Sequence, residues 1–246
     1  MINFTNVSKY YPGKVPGLVD VTVEIPDGEF VFLIGPSGSG KTTFLRLLIR
    51  DLVPSSGTIT VDNTDIAKLT GANLYLLRRK VGIVFQDFKL LLDRTVYENV
   101  AMVLEILGKP ERDIEHGVMN VLELVGLAGK RNLFPVQLSA GEMQRTSIAR
   151  AIVGGPKILL ADEPTGNLDP DTAWGIMDIL SEIHGLGTTV IVASHNAEIV
   201  NKMRKRTLTI QHGQVARDEA KGHYHLEKHQ KSSSKGGKHD AAHERS

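Results

Sequence analysis

The residues best suited to chemistry lie in one glycine-rich stretch that fits the pattern G-x-x-x-x-G-K-[ST] in full. It follows an apolar run at residues 31–34 and precedes a helical pattern at residues 42–49, which is the setting that the pattern requires. Glycines let the backbone wrap closely around phosphates, and successive N–H groups with a helix N-terminus face the anionic oxygens. Lys41 can reach the β- and γ-phosphates, and the Thr42 hydroxyl can bind Mg²⁺. The predicted phosphate-binding residues are Gly35, Pro36, Ser37, Gly38, Ser39, Gly40, Lys41, Thr42 and Thr43.

A second candidate group is a pair of carboxylates after another apolar run. Asp162 and Glu163 directly follow residues 158–161, at what would be the carboxyl edge of a sheet, where open α/β folds bind their ligands. We expect Asp162 to hold Mg²⁺, directly or through water, and Glu163 to point the other way, toward an attacking water. Alone, such a pair is more typical of a solvated acidic turn before Pro164, but beside a phosphate loop it indicates hydrolysis.

The elements that position these groups follow from the apolar pattern. Residues 31–34, 81–84, 158–161 and 190–193 are continuously apolar, as strands covered on both faces of a parallel sheet should be. Thr95 with Glu98 forms a capping-box pattern at the start of a helix, and the segment from about residue 92 to residue 150 is helical throughout. Residues 1–30 and 57–61 alternate instead, which predicts a small antiparallel sheet beside an α/β core.

Composition excludes several classes of protein. The 246 residues carry 29 Lys+Arg against 28 Asp+Glu, so binding to nucleic acid through general electrostatics is not indicated. The absence of cysteine excludes a disulfide framework, a thiolate zinc site and a cysteine nucleophile. No apolar run approaches the roughly 18 residues of a membrane-spanning helix, and the first residues do not resemble a signal peptide.

The C-terminal segment differs from the rest of the chain. Residues 221–246 contain six basic and three acidic residues together with serine and glycine runs, so we expect a basic, disordered tail after a domain that spans residues 1–220. The tail contains three histidines, His223, His225 and His229, which could be read as a metal site. We favour a solvated tail, because nothing in a disordered segment orients the three rings.

Further motifs resemble those of the ATP-binding-cassette (ABC) ATPases, in that family's order, over residues 1 to about 217. Residues 138–142, Leu-Ser-Ala-Gly-Glu, resemble the signature motif; residues 167–169, Asn-Leu-Asp, resemble the D-loop. Gln86 matches the Q-loop glutamine, His195 the switch histidine, and Tyr11 the ring that stacks on adenine, although Tyr10 is an alternative. The resemblance implies an ABC-type nucleotide-binding domain: a parallel-sheet core with a phosphate loop, a small antiparallel β subdomain and an α-helical subdomain.

The same resemblance implies an ATPase that works as a homodimer around two molecules of Mg²⁺-ATP. Each site would take its catalytic residues Glu163, His195 and Gln86, and its metal ligands Thr42, Gln86 and Asp162, from one chain. The other chain would supply the signature residues in trans, with Asp169 in the D-loop. These signature residues are Ser139, Ala140, Gly141 and Glu142.

Three positions depart from the family pattern. Ala140 replaces a glycine of the signature, which could slow closure; Met143 replaces a glutamine or arginine; and Asn196 replaces the aspartate after the switch histidine, which leaves the support of His195 open. We therefore expect a working but slow ATPase.

Within the family, residues 162–169 resemble the subgroup that powers lipoprotein release, macrolide export and cell division. Residues 28–35, 85–91, 93–100 and 217–220 look most like the bacterial cell-division members of that subgroup. That resemblance implies peripheral attachment to the cytoplasmic face of the membrane through an FtsX-like polytopic protein, and indirect control of cell-wall hydrolases. Residues Phe88, Lys89 and Leu90 would help form the groove for this partner, or would simply pack the joint between subdomains. The alternatives are the ATPase of a lipoprotein-release or macrolide-export transporter, and a regulatory ATPase with no membrane partner.

Overall fold

The computed structural model describes residues 1–224, which form two β-sheets and seven α-helices. The strands are β1 (Ile2–Tyr11), β2 (Val15–Ile25), β3 (Phe30–Ile34), β4 (Ser56–Val61), β5 (Thr64–Asp65), β6 (Val81–Val84), β7 (Ile158–Asp162), β8 (Thr189–Ala193), β9 (Arg206–Gln211) and β10 (Gln214–Glu219). The helices are α1 (Lys41–Leu48), α2 (Gly71–Arg79), α3 (Val96–Ile106), α4 (Glu111–Leu124), α5 (Ala140–Ile152), α6 (Pro170–Gly185) and α7 (Ala197–Met203). Within residues 1–224, none of these helices has the length and apolar character needed to cross a membrane.

The central sheet has six strands in the order β10-β9-β3-β8-β7-β6, and all but β10 run parallel. Strand β3 is buried at all five positions because both faces of the sheet are covered. Phe30, Phe32 and Ile34 pack into one hydrophobic cluster, whereas Val31 and Leu33 pack into the other. Double burial therefore accounts for continuous apolar runs without alternation. The four predicted strands are confirmed, each to within one residue at either end.

The predicted antiparallel sheet is also confirmed, with strand order β2-β1-β4-β5. Its alternation is interrupted at Asp20, which has a φ of +50°, so that Leu18 and Val21 both face the core. The ring of Phe4 in β1 stacks on the ring of Phe44 in α1, with 4.2 Å between the centroids. This contact packs the small sheet against the helix that follows the phosphate loop.

The helical segment contains α3, α4 and α5, joined by loops and short 3₁₀ turns. The predicted capping box of α3 is present: Thr95 Oγ1 accepts the Glu98 N–H at 3.2 Å, and the Glu98 carboxylate accepts the Thr95 N–H at 2.8 Å. The buried Asn99 side chain donates to the carbonyls of Leu91 and Arg94 at 3.0 and 3.1 Å. These bonds fasten the loop before α3 to the helix itself.

The hairpin of β9 and β10 is absent from the sequence prediction. Strand β9 pairs in parallel with β3, and Arg206 at its start binds Glu29 and Asp218, each at 2.7 Å. At the hairpin turn, the Gly213 N–H donates to the Ser39 carbonyl at 2.9 Å, and the Val19 N–H donates to the Gly213 carbonyl at 2.8 Å. The hairpin thereby ties the phosphate loop to the antiparallel sheet.

The carboxylate of Asp62, at the end of β4, joins three parts of the chain. Its Oδ2 lies 2.8 Å from Lys80 Nζ and 3.4 Å from Lys157 Nζ. The hydrogen bond from Lys80 is the main reason that the pKa of Asp62 falls to about 2; partial burial opposes it, and the positive charges of Lys80 and Lys157 lower it further. Because the pKa of Asp62 is lower in the folded than in the unfolded chain, its ionised carboxylate stabilises the fold. This stabilisation is fully present above the ordinary pKa of 3.8 and is lost as the pH falls toward about 2.

Asp62→Asn should therefore destabilise the protein at neutral pH. Asparagine tolerates the left-handed backbone of this position (φ +48°) as aspartate does, so the change removes mainly the charge. We expect the free energy of unfolding at pH 7 to fall by about 1–2 kcal/mol, with the difference shrinking below pH 4. Urea unfolding followed by circular dichroism from pH 7 to pH 3 measures this. Asp178→Asn on the exposed surface of α6 is the control, and equal midpoints for wild type and Asp62→Asn at pH 7 would contradict the prediction.

Candidate functional site

The phosphate loop, residues 35–40, connects β3 to α1 and passes very close to two other backbone segments. Gly35 has a φ of +148° and Gly40 a φ of +117°. A Cβ on Gly35 would lie 2.1 Å from the carbonyl oxygen of Ile210, and one on Gly40 would lie 2.4 Å from that of Gly17. Both positions therefore require glycine. Helix α1 begins at Lys41 without a side-chain cap, which leaves its first N–H groups available to an anion.

A cleft of about 850 Å³ opens over this loop at the carboxyl edge of the central sheet. It brings together most residues of the predicted site. Those that line it are Tyr11, Gly35, Pro36, Ser37, Gly38, Gly40, Lys41, Thr42, Thr43, Gln86, Asp162, Glu163 and His195. Ser39 does not line the cleft; its hydroxyl is buried and has no hydrogen-bond partner within the described residues.

Lys41 is the first residue of α1, and its side chain, only 8% exposed, extends back to the start of the phosphate loop. Its Nζ donates to the carbonyls of Gly35 and Pro36 at 2.9 and 3.2 Å and lies 3.9 Å from Glu163 Oε1. The buried ammonium group thus places a positive charge between the loop backbone and the carboxylate at the end of β7.

Asp162 and Thr42 form one oxygen-rich corner of the cleft. The Thr42 hydroxyl donates to Asp162 Oδ1 at 3.4 Å. Burial raises the pKa of the Asp162 carboxyl, while the Thr42 hydrogen bond and the charge of Lys41 oppose that shift. A hydroxyl and a partly desolvated carboxylate are hard oxygen ligands, so this pair fits Mg²⁺ better than a softer metal.

Glu163 has different partners from its neighbour Asp162. Its backbone is left-handed (φ +50°), and its Oε2 lies 2.7 Å from His195 Nδ1 and accepts the His195 N–H at 3.3 Å. The Glu163 carboxylate therefore lies between the imidazole of His195 and the ammonium of Lys41. The two adjacent carboxylates thus have different partners, but the expected cause, strand alternation, is wrong: the left-handed turn at Glu163 keeps both side chains in the same cleft.

Gln86 and Tyr11 line the cleft from the ends of two different strands. Gln86 follows β6, with its Nε2 beside the turn at Gly166, where a Cβ would lie 3.7 Å away. Tyr11 ends β1, and its hydroxyl pairs with Thr43 Oγ1 at 3.0 Å. Tyr10 is not among the residues that line the cleft and is 44% exposed, so the geometry favours Tyr11 as the ring that contacts the base.

The four signature residues lie away from the cleft of their own chain. Ser139 caps α5 through the predicted capping box: its Oγ accepts the Glu142 N–H at 3.3 Å, and its N–H donates to Glu142 Oε2 at 3.0 Å. Lys130 binds Glu142 Oε1 at 2.5 Å, and this bond is the main reason for the lowered pKa of Glu142. Ala140 is half-buried, and a Cβ on Gly141 would lie 2.4 Å from Thr172 Cγ2 in α6.

The three other motif positions, Asp169, Asn196 and Met143, serve as helix caps or as a packing group. Asp169 caps α6 by accepting the Thr172 N–H at 3.0 Å. The hydrogen bond from the Thr172 side chain, and next the one from its backbone, lower the pKa of Asp169. Asn196 caps α7 by accepting the Ile199 N–H at 3.1 Å. The imidazole of His195 is contacted by Glu163, and Met143 packs against the hydrophobic core.

Four residues that line the cleft are absent from the sequence prediction. Val15, Pro16 and Gly17 come from the start of β2, and Tyr224 follows β10. The Tyr224 N–H donates to Asn201 Oδ1 at 2.6 Å, and burial, with a smaller effect of the Glu163 charge, raises the pKa of its hydroxyl. The remainder of the expected tail, from residue 225 onward, lies outside the described residues.

Comparison with known proteins agrees with this geometry. The ABC transporter family matches residues 18–166. The chain is 50% identical over 224 residues to the cell division ATP-binding protein FtsE of Bacillus subtilis, covering 91% of this chain and 98% of that one. It is 50% identical over 229 residues to the protein of the same name from Mycobacterium tuberculosis, covering 93% and 100%.

Among solved structures, a dimeric ATP-binding cassette in a post-hydrolysis state with bound ADP and Pi superimposes with a TM-score of 0.83 at 33% identity. The match covers 91% of this chain and 100% of that one, which confirms the predicted fold class. Because the family match spans more than half of the chain and the relatives align over nearly their whole length, the chain belongs to the ABC transporter family, as its ATP-hydrolysing cassette.

Proposed function

We propose that the chain is the ATPase subunit of a membrane ABC complex that acts in bacterial cell division. The observation that carries the proposal is the 50% sequence identity to two cell-division ATP-binding proteins over nearly their full length. The subunit would attach to the cytoplasmic face of the cell membrane through an FtsX-like polytopic protein. It would convert ATP binding and hydrolysis into a conformational change that controls cell-wall hydrolases.

In this proposal ATP binds with its phosphates on the loop and its adenine against Tyr11. The uncapped N-terminus of α1 and the Lys41 ammonium supply positive potential where the phosphates lie. Thr42, Asp162 and Gln86 offer hydroxyl, carboxylate and amide oxygens to Mg²⁺, which when bound neutralises charge on the β- and γ-phosphates.

Glu163 is the proposed general base. Its carboxylate accepts a proton from the water that attacks the γ-phosphorus, while the bond from that phosphorus to the leaving oxygen of ADP breaks. His195, 2.7 Å from Glu163 Oε2, orients the carboxylate, and Lys41 keeps a positive charge near it. Gln86 completes the site from the side of β6.

The position of the signature supports a homodimer in which each site is shared. Ser139 and Gly141 are not among the residues that line the cleft of their own chain. The N-terminus of α5 carries a satisfied cap and is fixed by Lys130 and by contact with α6, so it offers a rigid, positively polarised surface. Two chains arranged head to tail would place this surface opposite the γ-phosphate of the partner.

The surface proposed for the membrane partner begins at a second cleft of about 470 Å³, which shares Thr42 and Asp162 with the nucleotide cleft. Its other lining residues are the apolar Leu45, Ile49, Val81, Ile83 and Phe85 and the charged Arg46, Asp51 and Arg78. The loop that follows Phe85 continues with half-buried Phe88 and Leu90 and with Leu91 and Leu92, which are 39% and 64% exposed. Clustered apolar groups of this kind suit a short helix of a partner protein.

Glu163→Gln should separate binding from hydrolysis. The amide keeps the shape of the side chain but cannot accept the proton, so we expect kcat to fall at least about 100-fold while ATP binding is retained. Steady-state phosphate release and fluorescent-nucleotide titration measure the two quantities, and light scattering should show an ATP-dependent dimer. Glu182→Gln, on the exposed side of α6, is the control. Normal turnover of Glu163→Gln would remove it as the base.

Sharing of sites between chains predicts complementation. Lys41→Ala alone should lose nucleotide binding, and Ser139→Asp alone should keep the helix cap but place a negative charge opposite the phosphate. A mixed dimer then holds one intact site, so a 1:1 mixture should regain about a quarter of the wild-type activity if chains pair at random. Ser139→Asn, which also caps but carries no charge, is the matched control. Activity no greater than the sum of the two single variants would contradict a shared site.

The partner is identified by purification from native membranes. A tagged chain, solubilised in mild detergent with ATP and Mg²⁺, should co-purify with a polytopic protein that has a large extracytoplasmic loop. Leu92→Glu should abolish this co-purification, whereas Leu186→Glu, on a leucine after α6 that is at least as exposed, should not. Mass spectrometry that finds a lipoprotein-release or export permease would overturn the cell-division role, and capture of no membrane protein would favour a regulatory ATPase.

A further inference from the structure

The loop after Gln86 contains two consecutive residues in a left-handed conformation. Phe88 has a φ of +59° and Lys89 a φ of +51°, although neither is glycine. Such backbone costs free energy and persists only where surrounding contacts enforce it. Within the loop, the Phe88 N–H donates to the Phe85 carbonyl at 3.3 Å and the Lys89 N–H to the Asp87 carbonyl at 2.6 Å, and the side chains of Lys89 and Asp87 pair on the surface.

The contact that enforces this conformation comes from Arg150. Its Nη1 donates to the Lys89 carbonyl at 2.7 Å, and its Nη2 donates to the Phe88 carbonyl at 2.8 Å. A guanidinium group is suited to this geometry because its donors form a rigid planar fork. The two left-handed residues present their carbonyls together to that fork.

The guanidinium of Arg150 has no acidic partner within residues 1–224. Burial alone lowers its pKa. Arg150 is half-buried, and a charge partly withdrawn from water and given only neutral acceptors is costly, so its role is not that of an ordinary ion pair. The bonds from this charge to the Phe88 and Lys89 carbonyls are correspondingly strong.

Arg150 lies near the C-terminus of α5, and the same helix begins with the signature residues. Ten residues separate Ala140 from Arg150, which is about 15 Å along a helix axis. Helix α5 is well buried along this length, with Gln144, Thr146, Ser147, Ile148 and Ala149 all inside the domain. One rigid element therefore joins the loop of Gln86 at one end to Ser139 at the other.

We propose that Arg150 is a positioning residue that holds the Gln86 loop in its left-handed form and locks it to the signature helix. The inference rests on the proposed roles of Gln86 in its own site and Ser139 in the partner's site. Because these roles belong to different sites of the dimer, Arg150 couples the two sites mechanically: a shift of Gln86 at one nucleotide moves the signature at the other.

The first test is the kinetics of Arg150→Gln and Arg150→Lys. Arg150→Gln loses the paired guanidinium bonds to the Phe88 and Lys89 carbonyls, so kcat should fall about tenfold, and it should fall less for Arg150→Lys. The ATP affinity of the monomer should stay within about twofold of that of the wild type. The dependence of rate on ATP concentration should also lose cooperativity. Normal kcat and cooperativity in folded Arg150→Gln would overturn the proposal. If Arg150→Gln does not fold, the same criteria apply to Arg150→Lys.

The second test distinguishes positioning of the loop from packing of the helix. Lys89→Gly lowers the cost of the left-handed backbone, and Lys89→Ala removes the same side chain without that relief. Combined with Arg150→Gln, the glycine should restore at least about a third of the lost kcat, and the alanine should restore none, each compared with its own Lys89 single variant. Equal effects of glycine and alanine would overturn the proposal.

Gln86→Ala and Ser139→Asp are measured in parallel. If both turn over normally, the assumed roles fail and the inference fails with them. If both are impaired while Arg150 variants are normal, only the coupling through Arg150 is wrong.

Discussion

The geometry of the site depends on the close passage of three backbone segments that are far apart in the sequence. The two ends of the phosphate loop, Gly35 and Gly40, come so near the carbonyls of Ile210 and Gly17 that no side chain fits. Gly213 bonds both to the loop, at Ser39, and to β2. The loop is therefore held between the β9–β10 hairpin and the antiparallel sheet, and its N–H groups keep a fixed direction toward the cleft. This constraint orients the groups before any ligand binds.

The parts predicted from sequence are those where a local pattern has one physical cause. Strands β3, β6, β7 and β8 are buried on both faces, and only such strands need continuous apolar runs. The sequence therefore predicts their ends to within one residue. The capping boxes at Thr95 and Ser139 are equally local, because donor and acceptor are three residues apart. Each feature is decided within a handful of neighbouring residues.

The parts that could not be predicted depend on contacts between distant segments. Strand β9 has a polar-apolar alternation that suits a hairpin, but its parallel pairing with β3 joins positions about 175 residues apart and leaves no local trace. Tyr224 lines the cleft because Asn201 binds its backbone, which composition alone cannot indicate. Ser39 shows the converse limit: it matches the phosphate-loop pattern, yet its hydroxyl points into the domain. A motif places residues in a loop without specifying which way each side chain faces.

The two carboxylates at the end of β7 show how adjacent residues acquire separate tasks. Asp162 is the last residue of the strand and keeps the strand direction toward Thr42, where burial raises its pKa. Glu163 leaves the strand through a left-handed turn, and its side chain reaches His195 and Lys41 instead. Had the backbone stayed extended, the next side chain would have pointed to the opposite face of the sheet. The left-handed residue keeps both carboxylates in one cleft but in different electrostatic surroundings, which is what the proposed roles of Asp162 as metal ligand and Glu163 as general base require.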